Sequence, residues 1–126
     1  MKLRSLMILK ALVGLLFGIL FLAVPVPAMS LFGVTLGEGG VFALRLYGAS
    51  LAGNLMLNWF ARDAGPSQAL RAIVLGGFVY DAIGLVVALV AVLTGVTNAM
   101  GWLAVLIYLV LTLGFGYFQF LKPIDA

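Results

Sequence analysis

Apolar residues fill four long segments of the chain, and polar residues collect in the short stretches between them. The segments cover about residues 5–24, 41–60, 71–93 and 102–121. Each is close to the ~20 apolar residues that a helix needs to cross a hydrocarbon core. Transmembrane strands are excluded, because they span a membrane in ~10 residues of alternating polarity. The pattern predicts an all-α, integral membrane four-helix antiparallel bundle, with residues 1–126 as a single domain.

The composition points to a lipid environment and argues against an enzyme. Charged residues make up 9% of the chain, against about 25% in an average soluble domain. The absence of cysteine and histidine excludes thiol chemistry, histidine acid–base catalysis and the usual zinc and haem ligands. No phosphate-binding or dinucleotide-binding motif is present. We expect no enzymatic activity, no catalytic residues, no metal and no cofactor, and the net charge of +3 does not suggest nucleic-acid binding.

Positive charges predict how the spans are oriented. Five basic residues fall on one side of a four-span arrangement: Lys2, Arg4, Arg62, Arg71 and Lys122. Lys10 is interpreted as part of the same basic start of the first span, and Lys122 and Pro123 are expected to end the fourth. The loops on the opposite side contain no lysine or arginine. The positive-inside rule then predicts that both termini are cytoplasmic, in a bacterial cytoplasmic (inner) membrane.

The first span also allows a different interpretation. A basic start, an apolar run and the sequence V-P-A at 26–28 resemble a signal peptide with a cleavage site, whose removal would leave three spans. The apolar run is longer than the core of such a peptide, which favours a retained span.

The loop at 25–40 is unusually apolar for a connection outside the membrane. Two arrangements would keep its side chains out of water. It can lie along the membrane interface, partly as a helix, or it can cover the outer mouth of the bundle. The interfacial arrangement is favoured, because loops at membrane depth need protein around them.

Small residues indicate where the spans approach one another, since membrane helices associate where glycine and alanine admit a neighbouring backbone. The first span has Gly14 and Gly18. The second span has small residues four positions apart, as in the first, and polar residues on its other side. We therefore expect it to be the most enclosed span. Its small residues are Gly48, Ala49, Ala52 and Gly53. The third span carries a row at steps of three and four: Gly77, Asp81, Gly84, Ala88, Ala91 and Gly95.

Asp81 lies in the middle of the third span, where an ionisable side chain marks either a functional site or a polar contact between helices. A rise of ~1.5 Å per residue puts it at a depth similar to that of several polar groups on other spans. The candidate polar core is therefore Asp81, Asn54, Tyr108, Thr112, Tyr47 and Asn58. Asp81 is expected either to hydrogen-bond Asn54, Tyr108 or Thr112, protonated or with several donors, or to bind a proton or cation during transport.

Two further charges lie towards the outer side of the second span. Arg45 lies ~10 Å or more from Asp81 in height, so an ion pair between them needs helix tilt, a water or an intermediate residue, and Glu38 is the closer acid. We expect Arg45 to reach the interface or to pair with an acid, although it could also bind an anionic headgroup or substrate.

The layout resembles that of the DoxX-like small bacterial four-span proteins. The shared features are a glycine-rich first span ending in proline, an apolar outer loop, and R-L-Y-G-A-S-L-A-G at 45–53 opening the second span. The resemblance implies a bundle but no particular activity. We therefore expect a non-enzymatic accessory or assembly protein that contacts the lipid bilayer and forms a homo- or hetero-oligomer. The alternative is a small proton- or cation-coupled transporter that uses Asp81.

Overall fold

The described part of the chain folds into four long helices and one short helix. The structure is a computed structural model and describes residues 2–122. In chain order the helices are α1 (Leu3–Ala23), α2 (Pro25–Ser30), α3 (Glu38–Ala61), α4 (Gln68–Leu93) and α5 (Gly101–Gly116), which a π-helical turn (Tyr117–Leu121) continues. No strand occurs between residues 2 and 122. The all-α class is confirmed, and so are four helices that are long and apolar enough to cross a membrane.

Local capping explains why two helices begin earlier than hydropathy predicts. The Ser67 hydroxyl accepts a hydrogen bond of 3.0 Å from the backbone N–H of Leu70, so α4 starts at Gln68. Glu38 lies in the first turn of α3, where a carboxylate is favourable beside the positive end of the helix dipole. Pro123, which was expected to end the last helix, lies outside the described residues.

The helices form two closely packed pairs, α1 with α3 and α4 with α5, and the two pairs contact each other less extensively. Glycines lie where α1 meets α3. A Cβ at Gly14 would lie 3.3 Å from the carbonyl oxygen of Leu51, and one at Gly48 would lie 2.9 Å from Cγ of Leu22. These distances leave little or no room for a larger residue in the α1–α3 pair.

Aromatic rings of α5 occupy the corresponding spaces on α4. A Cβ at Gly77 would lie 3.3 Å from the Phe115 ring, and one at Gly84 would overlap the ring of Tyr108. The small residues of α4 therefore accommodate large side chains of α5.

The second span is the least enclosed helix, contrary to expectation. In the most apolar 18-residue segment of α3, 11% of the residues are buried, against 39% in the corresponding segment of α1. One reason is that the two asparagine side chains of α3 bond to their own helix. Asn54 donates to the carbonyl oxygen of Ser50 and Asn58 to that of Asn54, so within residues 2–122 neither amide donates to a neighbouring helix. A Cβ at Gly53 would meet no atom within 4 Å.

Gly95 ends α4 and does not contribute to packing. Its φ of +79° is left-handed, and a Cβ on it would contact nothing within 4 Å. Its N–H donates to the carbonyl oxygen of Val92, and the N–H of Val96 donates to that of Ala91. These two bonds form a Schellman motif. The predicted row of small residues on α4 therefore stops before Gly95.

Gly95→Ala is expected to destabilise the protein by about 1–2 kcal/mol, because an L-residue is strained in the left-handed region. Gly95→Asn is the matched variant, and its loss should be smaller because asparagine tolerates this conformation. Thermal unfolding in a mild detergent would measure the melting temperatures, which should fall from the unchanged protein to Gly95→Asn to Gly95→Ala. Equal melting temperatures for both variants and the unchanged protein would contradict the capping role.

An apolar cluster fills the end of the bundle at which the chain starts. Its buried members come from α1, α4, α5 and the π-helical turn, and we call it the inner cluster: Leu6, Met7, Leu70, Val74, Leu111, Phe115 and Phe118. Outside it, Arg4 and Asp63 form an exposed ion pair of 2.6 Å between the start of α1 and the α3–α4 loop.

The α1–α3 loop covers the other end of the bundle. Phe32 is buried beyond α2, and its carbonyl oxygen accepts a 2.8 Å hydrogen bond from the backbone N–H of Asn98. The side-chain amide of Asn98 donates to the carbonyl oxygen of Leu31. Met29 and Phe32 point into the interior of the bundle. The loop thus covers this end of the bundle, with α2 as its helical part, and its exposed Val26 and Leu31 remain free to lie at the membrane interface.

Candidate functional site

A buried ion pair joins the two helix pairs. The Lys10 ammonium on α1 donates a hydrogen bond of 2.9 Å to Oδ2 of Asp81 on α4. The two side chains are 6% and 1% exposed. Charges this deeply buried are found paired, because an isolated one would lose its hydration without compensation. The pair lies just beyond the inner cluster, since Leu6 and Met7 precede Lys10 along α1.

The sequence suggested that Lys10 marks the boundary of the first span. The structure corrects this interpretation, because Lys10 is buried inside α1. α1 begins at Leu3, so Lys10 lies about two turns inside the helix. The helical period contains a signal for this, because Lys10, Gly14 and Gly18 are four residues apart and share one face. All three are buried, so Lys10 lies on the packing face of α1.

Aromatic side chains surround the lysine. Its Nζ lies 4.8 Å from the centroid of the Tyr80 ring and 5.0 Å from that of Phe115, distances at which a ring face attracts a cation. The hydroxyls of Tyr47 and Tyr108 form a hydrogen bond that joins α3 to α5. The Tyr80 hydroxyl is buried and has no hydrogen-bond partner among residues 2–122.

The predicted polar partners of Asp81 take other positions. Asn54 bonds to its own helix, Tyr108 bonds to Tyr47, and the Thr112 hydroxyl is buried with no partner in the described part of the chain. Within that part, Asp81 hydrogen-bonds through its side chain to Lys10 alone.

Two of the remaining predicted residues lie at the surface, and one borders a different cleft. Arg45 and Glu38 are exposed, and residues 2–122 show no ion pair between them. Asn58 is buried and borders a separate cleft between α3 and α4, next to Gly76 and Gly77.

A cavity of about 180 Å³ lies between the helix pairs, and the ion pair borders it. Most of its wall is apolar, from residues such as Phe17, Phe21, Leu51 and Ile107. Its polar groups are Lys10, Tyr47, Asn54, Tyr80, Asp81, Thr97 and Tyr108. The cavity thus brings together four of the six residues that the sequence singled out as a polar core, and adds Lys10, Tyr80 and Thr97.

The size and charge of the cavity indicate what it can hold. An apolar cavity of ~150 Å³ in another protein accommodates benzene, so this space is large enough for one ring or several waters. Lys10 and Asp81 together carry no net charge, so both can stay ionised in a medium of low polarity. No cluster of acidic residues that could hold a metal ion occurs between residues 2 and 122.

Comparison with known proteins gives no significant match to a family model, to a curated protein or to a solved structure. The resemblance to DoxX-like proteins therefore stays a prediction. The function has to be inferred from the cavity and the ion pair.

Proposed function

We propose that this protein is a small multi-pass carrier of the bacterial cytoplasmic membrane, which binds a solute in the cavity and couples its movement to a proton exchanged at the Lys10–Asp81 pair. The observation that carries the proposal is that the buried ion pair forms part of the cavity wall. Intramembrane ionisable residues that face an internal cavity are typical of ion and substrate pathways.

Apolar groups lie on both sides of the pair along the bundle. The inner cluster separates it from the end at which the chain starts, and Met29 and Phe32 line the cavity towards the other end. An alternating-access carrier needs a central site with a barrier on each side, which can open in turn. This arrangement supports a carrier.

The surroundings of Asp81 support a carrier more than an accessory protein. An accessory role leaves Asp81 as a polar contact between packed helices or with a partner subunit. Its carboxylate does contact another helix, through Lys10 on α1, but this contact also borders open volume, which a purely structural contact does not require. The accessory role in an oligomer stays a prediction from sequence.

The proposed orientation places both termini in the cytoplasm. Arg4 at the start of α1 contacts Asp63 in the α3–α4 loop, and Arg62 lies beside Asp63. Basic residues from the start of α1 and from this loop therefore gather at one end of the bundle. The positive-inside rule favours this end for the cytoplasm.

A proteoliposome assay tests the carrier. The protein is reconstituted with a trapped pH dye, and sodium, potassium, choline or benzenesulfonate is added outside. We expect at least one of these solutes to change the internal pH faster than in protein-free liposomes. Asp81→Asn should abolish the change, because an amide keeps the shape of the side chain and cannot exchange a proton.

Two controls belong to this assay. Arg45→Gln removes an exposed charge on α3 and should leave the pH change intact. Size-exclusion chromatography should give the same elution volume for Asp81→Asn as for the unchanged protein. If no solute of the four moves protons above the protein-free level, the carrier proposal is wrong.

A further inference from the structure

The protein's own lysine occupies the place at Asp81 that a cation would take. The ammonium lies 2.9 Å from the carboxylate and within 5.0 Å of two ring centroids, which is the environment an organic cation would seek. A cation from solution would have to displace a tethered competitor, whose effective concentration is high. The site is therefore poorly suited to cations.

Lys10 keeps free donors and Asp81 keeps free acceptor sites, and an anion that pairs with Lys10 would use the donors. An ammonium has three N–H groups, and Lys10 uses one of them on Asp81. The Tyr80 ring lies 4.8 Å from the ammonium, and its hydroxyl, which has no partner among the described residues, can donate or accept. The free donors of Lys10 suit a ligand that accepts hydrogen bonds.

The two members of the pair differ in freedom of movement. Asp81 is short and lies on α4 between Gly77 and Gly84, which pack against rings of α5. Lys10 has a flexible four-carbon stem and also borders the cavity. A ligand in the cavity can thus draw the ammonium towards itself, whereas the carboxylate stays on α4.

We infer that the cavity binds a small organic anion, with one ring or a comparable apolar body and a single carboxylate or sulfonate group, and that Asp81 takes up a proton as the anion pairs with Lys10. The inference rests on the proposed function and names its substrate class. The apolar wall would contact the ring, and the ammonium would contact the anionic group.

Charge balance requires the proton. The empty site holds one positive and one negative charge. When an anion takes the ammonium as its partner, the Asp81 carboxylate is left buried without a cation, which is strongly unfavourable. Protonation from solution restores neutrality, because burial favours the neutral form of an acid. The occupied site then holds Lys10, the anion and an uncharged Asp81.

The titratable groups around Asp81 come from all four long helices. They are Lys10 on α1, Tyr47 on α3, Tyr80 on α4 and Tyr108 on α5. The tyrosines are neutral near pH 7, with an ordinary pKa of ~10. Among these groups Asp81 is the one that can accept a proton when the anion binds, so affinity should rise as the pH falls.

Isothermal titration calorimetry with benzenesulfonate tests the inference, using the full chain in lipid nanodiscs. This ligand stays anionic across the accessible pH range, so any proton taken up must go to the protein. Titrations in buffers of different ionisation enthalpy count the protons. We expect about one proton per bound ligand. Benzenesulfonamide, the neutral analogue, and methanesulfonate, which lacks the ring, should each bind at least about 10-fold more weakly.

Two variants test which residue pairs with the anion and which residue takes up the proton. Lys10→Met should weaken benzenesulfonate binding by about 10- to 100-fold, because a charge-assisted hydrogen bond is lost. Asp81→Asn keeps the shape of the pair and should bind the ligand with no proton uptake. Equal proton uptake in Asp81→Asn and the unchanged protein would overturn the inference. So would the absence of benzenesulfonate binding, or binding of choline in its place.

The outcome also separates this inference from the carrier proposal. If benzenesulfonate binds with one proton but no solute moves protons in liposomes, the anion site stands and the carrier fails. If sodium, potassium or choline moves protons and benzenesulfonate does not bind, the carrier stands and the anion site is wrong.

Discussion

Lys10→Met is expected to destabilise the bundle by about 3–5 kcal/mol, because it leaves the Asp81 carboxylate buried without a partner. Adding Asp81→Leu should recover most of this loss. Leucine branches at the same atom as aspartate, and an apolar pair has no charge to desolvate. The double variant should therefore be more stable than Lys10→Met alone, although it differs more from the natural sequence. Chemical unfolding followed by circular dichroism would measure both.

The exposed Arg4–Asp63 pair provides the control for this experiment. Its side chains are 53% and 61% exposed, and a pair in that setting contributes about 0–1 kcal/mol. Arg4→Met should therefore change stability little. If Lys10→Met were no more harmful than Arg4→Met, or if the double variant were less stable than the single one, the ion pair would not hold the helix pairs together in the way described.

Gly84→Ala is expected to have the second largest effect on stability, a loss of about 1–3 kcal/mol from overpacking. The added methyl group would overlap the Tyr108 ring, so α4 and α5 must separate or the ring must turn. Either movement would also disturb the hydrogen bond between Tyr108 and Tyr47, which joins α5 to α3. The same unfolding assay measures the loss.

Gly76→Ala on the same helix is the matched control. A Cβ at Gly76 would meet no atom within 4 Å, so the change should be neutral or stabilising by up to ~1 kcal/mol through helix propensity. Opposite signs for the two variants are the expected result. A loss of the same size at both positions would mean that helix α4 tolerates alanine poorly for reasons other than Tyr108.

The residues of the candidate site could be predicted only in part. The position of Asp81 in an apolar run was enough to predict that it is buried and borders polar groups of other helices. Its partner Lys10 was not predicted. Lys10 follows two basic residues at the start of the chain, so it was interpreted as one of the charges that orient the first span. Asn54 and Asn58 were wrongly predicted as contacts between helices, since their amides donate to the carbonyl oxygens one turn earlier in their own helix.

The sequence by itself determined the four apolar helices, their approximate ends and the gathering of basic residues at one end. Each of these depends on local composition, through the match between apolar length and bilayer thickness and through charge in the connections. The tertiary structure alone decided that Lys10 meets Asp81, which is 71 residues away, beside a cavity. Hydropathy carries no such information, because in lipid apolar side chains gain little by facing another helix, and close packing and polar contacts select the neighbours.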